Sequence, residues 1–150
     1  MLSTLHTNDS AGAITRLIEM GVEPFLVSSA VDCVLAQRLA RRLCPDCKQE
    51  WKPKPATLID AGYSADNLPE TVMRAVGCRK CGGTGYQGRI GVHEVLMMTE
   101  EISRLCVENA TAEEIRRVAI QQGMLTLRQD GLEKVRMGQT SIEEVVRVIV

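Results

Sequence analysis

The 150-residue sequence is 45% apolar and 25% charged, with a formal net charge of -1, the balance of a globular protein and not of a disordered chain. One Trp, two Tyr and one Phe, without net basic charge, provide neither the electrostatic footprint nor the stacking platform of a nucleic-acid binder. No run approaches the roughly 18 apolar residues that cross a bilayer, and "MLSTLHTNDS" lacks the basic start and apolar centre of a signal peptide; a cytoplasmic protein without membrane insertion is expected, its thiols kept reduced.

"LSTLHTN" reads as a short β-like run with His6 at its end beside Thr4, Thr7 and Asn8, the position where strand ends face ligand crevices. A lone strand is not stable, so it is expected either to join a sheet edge made later in the chain or to need neighbours outside it. A helix follows at once, capped by Asn8, Asp9 or Ser10, with Ile14, Leu17 and Ile18 on one face and Gly21 as its stop. A second helix starts at Pro24, with Leu26, Val27, Ala30 and Val31 on one side. "VLAQRLARRLC" has a period compatible with helix or strand, and its second half is read as strand; Arg38, Arg41 and Arg42 there form either a solvated face or a contact with an anion or subunit.

Residues 48–77 hold three of the five prolines and read as a loop-rich insertion with one short helix near "ATLIDAG". "CGGTGYQG" is a glycine-dense turn, and "RIGVHEVLMM" returns as a strand with Ile90, Val92 and Val95 in alternation. From Thr99 the chain becomes short helices. Thr111 with Glu114, Thr126 with Gln129, and Thr140 with Glu143 match the reciprocal cap in which a hydroxyl and a carboxylate or amide three residues on satisfy each other's backbone N–H. Their apolar faces are Ile115, Val118 and Ala119, then Leu132 and Val135, then Ile142, Val145, Val146 and Ile149, with Gly123 and Gly138 as stops.

Cys44, Cys47, Cys78 and Cys81 form two CxxC turns. Each turn presents two sulfurs from one backbone loop, and two turns complete a tetrahedral zinc site with no position left for water. The expected metal is therefore structural Zn²⁺, against redox chemistry or a disulfide, and it would stand in for a core in a lobe with few large apolar residues. Cys33 and Cys106 are expected to be ordinary buried residues. "CRKCGGTG" is similar to the CxxCxGxG repeat of DnaJ-type cochaperones, but it occurs once and "CPDCKQEW" lacks the glycines, so the likeness concerns the turn alone. No GxxxxGK[ST] phosphate loop occurs. His93 is expected to be structural.

Together, "LSTLHTNDSAGAITRLIEMGVEPFLVSSA", "LAQRLARRLCPDCK", "GCRKCGGTGYQGRIGVHEVL" and "TLRQDGLEKVRMGQTSIEEVVRVI" resemble the C-terminal portion of the hexameric ATPases that drive type II secretion and type IV pilus assembly. The resemblance implies an α/β fold: the end of a RecA-like P-loop ATPase domain (1–43), an inserted four-cysteine zinc-binding subdomain (44–82), and a return strand with a small helical C-terminal subdomain (83–150). It implies that His6 corresponds to the second histidine of the family's histidine box, near the terminal phosphate of ATP. Arg38, Arg41 and Arg42 would fall near a domain or subunit boundary. The Walker A, aspartate-box and Walker B segments that hold ATP and Mg²⁺ lie upstream in that family, so these 150 residues are expected not to hydrolyse ATP alone. The implied partners are five further copies in a hexamer, an inner-membrane platform protein and cytoplasmic assembly proteins, with the motor peripheral to the bacterial inner membrane. A free-standing zinc-dependent adaptor is the alternative.

Overall fold

Asp9 sets the first boundary of the fold. Its carboxylate accepts from Gly12 N at 2.7 Å and starts helix α1, Ser10–Glu19, satisfying one of the amides that a helix start leaves unbonded. Before it the expected strand does not form: in this computed structural model, which describes residues 1–149, residues 1–7 have no regular secondary structure and residues 1–6 are exposed. A strand is held by its ladder, and the sheets of the described residues pair only later segments.

Pro24 opens α2, Pro24–Ala30, as its fixed φ favours at a first turn. Strand β1 then covers Cys33–Leu43, beginning earlier than its expected second half. It pairs with β4, Tyr86–Met97, in a two-stranded sheet; β2, Gln49–Trp51, and β3, Val72–Arg74, make a second, antiparallel one with Trp51 opposite Val72. Helix α3 is Pro55–Ala61, and the chain ends with α4, Glu100–Val107; α5, Ala112–Gln121; α6, Leu127–Arg136; and α7, Ile142–Val148. No helix among the described residues is long and apolar enough to cross a membrane.

The chain packs as two compact units whose boundary falls inside both long strands: Met1–Gln37 with His93–Thr126, and Arg38–Val92 with the chain from Leu127 onward. Helices α4 and α5 thus belong to the first unit and α6 and α7 to the second.

In the first unit, Ala11 and Ile14 of α1, Val27 of α2, Leu96 of β4, Ile102 and Cys106 of α4, and Ile115 and Ala119 of α5 make one apolar core. Thr111 caps α5 with Glu114 reciprocally, as its sequence spacing requires. Val95 points outward, because β4 buries the alternate positions Val92, Glu94 and Leu96. In the second unit, Leu58, Tyr63, Val72, Leu132, Val135, Ile142 and Val145 are buried, and the Tyr63 hydroxyl donates to Leu132 O of α6 at 2.8 Å. The cap of α7 lies one residue later than expected: Ser141 accepts from Glu144 N, while the Thr140 hydroxyl donates to Arg41 O. This shift frees Glu144, not Glu143, to turn toward β1, and leaves Val146 exposed.

Candidate metal centre

Each CxxC turn is built by its own backbone. In the first, Lys48 N donates to Cys44 O at 3.0 Å; in the second, a single 3-10 turn, Arg79–Cys81, brings Cys78 N within 3.1 Å of Cys81 Sγ. Gly85 N donates to the same sulfur at 3.2 Å, and Cys44 N donates to Gly85 O at 2.9 Å, which ties the two turns together. Two glycines make this folding possible. At Gly77 (φ 113°) a Cβ would stand 2.4 Å from Gly83 O, and at Gly85 (φ 77°) one would stand 2.7 Å from Ala75 Cβ, so no side chain fits either place.

The four sulfurs converge. Cys44 and Cys78 are 4.0 Å apart, Cys47 and Cys81 3.9 Å, and Cys78 and Cys81 3.8 Å, with all four sulfurs within 4.8 Å of one another. A cation about 2.3 Å from each of four tetrahedral thiolates would hold them about 3.8 Å apart, whereas a disulfide needs about 2 Å. The set therefore could hold a metal ion, and its all-sulfur chemistry suits a thiophilic, tetrahedral one. The amide of Cys78, with that of Gly85, draws the Cys81 thiol down to about 6 against the effect of burial, while burial pushes Cys47 up. A cation held by the four cysteines would replace those protons and remove the conflict between neighbouring thiolates.

Asp46 and Lys80, the third residues of their respective turns, form an exposed ion pair at 2.6 Å across the site. The Cys44 thiol also lies 4.0 Å from both Asp46 Oδ2 and Gln87 Oε1. Neither contact was legible from spacing, although the opposite charges at matching turn positions are the signal that could have found the ion pair.

The other candidate residues lie elsewhere. His6 is exposed and lines a shallow open depression with Thr7 and Asn8 in the first unit; the four clustered cysteines belong to the second. Arg41 is engaged within the second unit: its guanidinium bonds Glu144 Oε2 through Nε at 2.9 Å and through a terminal nitrogen at 2.7 Å, and lies 4.2 Å from the centre of the Tyr86 ring. Arg42 is exposed beside a hollow that Lys48, Gln87 and Gln139 also line, and Arg38 is half-buried. Cys106 is buried, as expected, and its thiol faces Pro24 O at 3.5 Å. Cys33 is exposed, contrary to expectation, because it starts a strand on the outward-facing register.

Residues 1–147 match the model of the type II/IV secretion system protein family, and the chain belongs to that family. It is 50% identical over 147 residues to the type IV pilus assembly ATPase PilB of Thermus thermophilus, covering 97% of this chain and 16% of that protein. It is 45% identical over 150 residues to the type II secretion system ATPase E of Vibrio cholerae, covering 99% of this chain and 29% of that protein. The type II secretion system protein HxcR of Pseudomonas aeruginosa is 43% identical over 148 residues, 99% of this chain and 28% of its own length. The chain thus spans less than a third of the length of these curated relatives.

Proposed function

We propose that this chain is the C-terminal region of a hexameric motor ATPase that powers type II secretion or type IV pilus assembly, with a structural Zn²⁺ held by Cys44, Cys47, Cys78 and Cys81. The observation that supports it is the match over residues 1–147 to the secretion family, joined to a sulfur geometry of tetrahedral spacing. On this reading the fold is the end of a RecA-like ATPase domain. The rest of the motor supplies the phosphate loop and Mg²⁺, which stabilise charge on the transferring phosphoryl group.

The chain's own residues have two tasks. The thiolates hold the loops around residues 44–47 and 78–85 in one conformation. His6 stands near the terminal phosphate, where its imidazole is a hydrogen-bonding group for that phosphate or its water. Arg38 and Arg42 stand near a domain or subunit boundary, while Arg41 acts inside the chain. The motor works in the cytoplasm against an inner-membrane platform protein.

The test is a chimera in which this chain replaces the matching 147 residues of the Thermus thermophilus relative. Magnesium-dependent ATP turnover within about tenfold of the unmodified relative is expected, with none by the 150-residue chain alone. A folded, inactive chimera, or phosphate release by the chain alone above a His6→Ala control, refutes the reading.

A further inference from the structure

The inward face of β4 carries Val92, Glu94 and Leu96, and Glu94 is buried nearly as completely as its apolar neighbours, at 3% exposure. A carboxylate in an apolar position is costly unless polar partners receive it. Here Ser10 N donates to Glu94 Oε1 at 2.9 Å, and the Ser10 hydroxyl donates to the same oxygen. Ser10 is itself fully buried, and its hydroxyl oxygen also lies 3.7 Å from Met124 Sδ.

This contact is more than a helix cap. Asp9 already caps α1 through Gly12 N, and its other carboxylate oxygen is held at 2.5 Å by Arg116 of α5. Glu94 acts one residue further on, at the first residue of the helix. Residues 9 and 10 are therefore clamped from two separate elements, immediately after the exposed segment that carries His6. Four residues of chain reach at most about 14 Å, so fixing position and direction at Ser10 confines where His6 can go.

From this clamp we infer that Glu94, assisted by Arg116, is a positioning residue for His6: it fixes the path by which residues 6–8 leave α1 and so presents the imidazole to the terminal phosphate of a nucleoside triphosphate. The inference rests on the proposed role of His6. A core need alone would be met by an apolar side chain in register with Val92 and Leu96; the carboxylate is explained by what it holds. Breaks in an otherwise consistent pattern tend to mark functional positions.

The experiment uses the ATPase chimera with Glu94→Leu, Glu94→Gln, Arg116→Ala, His6→Ala and the double variant His6→Ala/Glu94→Leu. Glu94→Leu is expected to lower kcat at least about tenfold with KM for ATP changed less than about twofold, as a loss of positioning and not of binding would. Glu94→Gln retains an acceptor oxygen and should recover most of the loss. The double variant should be no slower than the slower single variant, since both changes remove the same group's action. Arg116→Ala should lower kcat several-fold without unfolding the first unit, and it decides the matter if Glu94→Leu does not fold. If His6→Ala leaves kcat unchanged, the role of His6 fails and this inference with it. If His6→Ala lowers kcat while folded Glu94→Leu and Arg116→Ala do not, or while the effects simply multiply in the double variant, the positioning role alone is overturned.

Discussion

Replacing Arg41 by alanine removes two charge-assisted hydrogen bonds to a carboxylate whose side chain has 0% exposure. In Arg41→Ala, Glu144 keeps the backbone N–H of residue 41 and the guanidinium of Arg147, so it is not left wholly unpaired. A buried ion stripped of its only partner costs about 3–5 kcal/mol, and an exposed pair is worth about 0–1 kcal/mol. The Arg41 side chain is 46% exposed while Glu144 is enclosed, and Arg147 remains, so a loss of about 2 kcal/mol is expected. Stacking on Tyr86 contributes part of it. Arg41→Lys should recover less than half, because an ammonium cannot reproduce the two-nitrogen grip. The assay is urea unfolding with zinc present, followed by fluorescence of Trp51, the chain's one tryptophan, which lies in the same unit. A double-mutant cycle with Glu144→Gln should give a coupling of about 1–2 kcal/mol. A coupling near zero, or Arg41→Ala as stable as the parent, refutes the assignment of this ion pair.

Other expectations follow from the same unit. Burial pushes the Glu144 carboxyl up, but hydrogen bonds from Arg147 and Arg41 outweigh it and hold the group at about 2, below its ordinary 4.5. Its folded value being depressed, the linked stability, up to about 3 kcal/mol, is complete above pH about 4.5 and is lost as pH falls toward about 2. The stability difference between the parent and Glu144→Gln should shrink over that window, and a difference constant from pH 6 to about 2.5 would contradict it. Gly77→Ala should weaken metal retention against a chelator at least about tenfold, since the added carbon meets backbone 2.4 Å away. Gly82→Ala, which meets nothing within 4 Å, should cost only the strain of its backbone angle, about 1 kcal/mol. Equal effects at the two glycines would remove the steric argument.

Local signals in the sequence carried much of the fold. The cap and apolar face of α1, Pro24 before α2, and the Thr111–Glu114 pair are each decided within a few residues, and each stands in the structure. The four-cysteine set was equally legible, because sulfur is a rare donor and the CxxC turn fixes its own geometry. What failed was decided by distant partners. "LSTLHTN" has strand composition, but no ladder receives it among the described residues. Thr140 has the right spacing for a cap, yet Arg41, 99 residues earlier, recruits Thr140 and Glu144 together and moves the cap to Ser141. The short β2–β3 pair has too few residues to show a period. Glu94 breaks the alternation of β4 in plain view, but its meaning depends on Ser10, 84 residues away.

Native mass spectrometry of the purified chain tests the metal centre, on which the proposed structural role of residues 44–82 depends. One zinc per folded chain is expected, released by a strong chelator together with a change in Trp51 fluorescence, and absent from both Cys44→Ser and Cys78→Ser. A folded chain that carries no metal, or serine variants that retain zinc as the parent does, would contradict it.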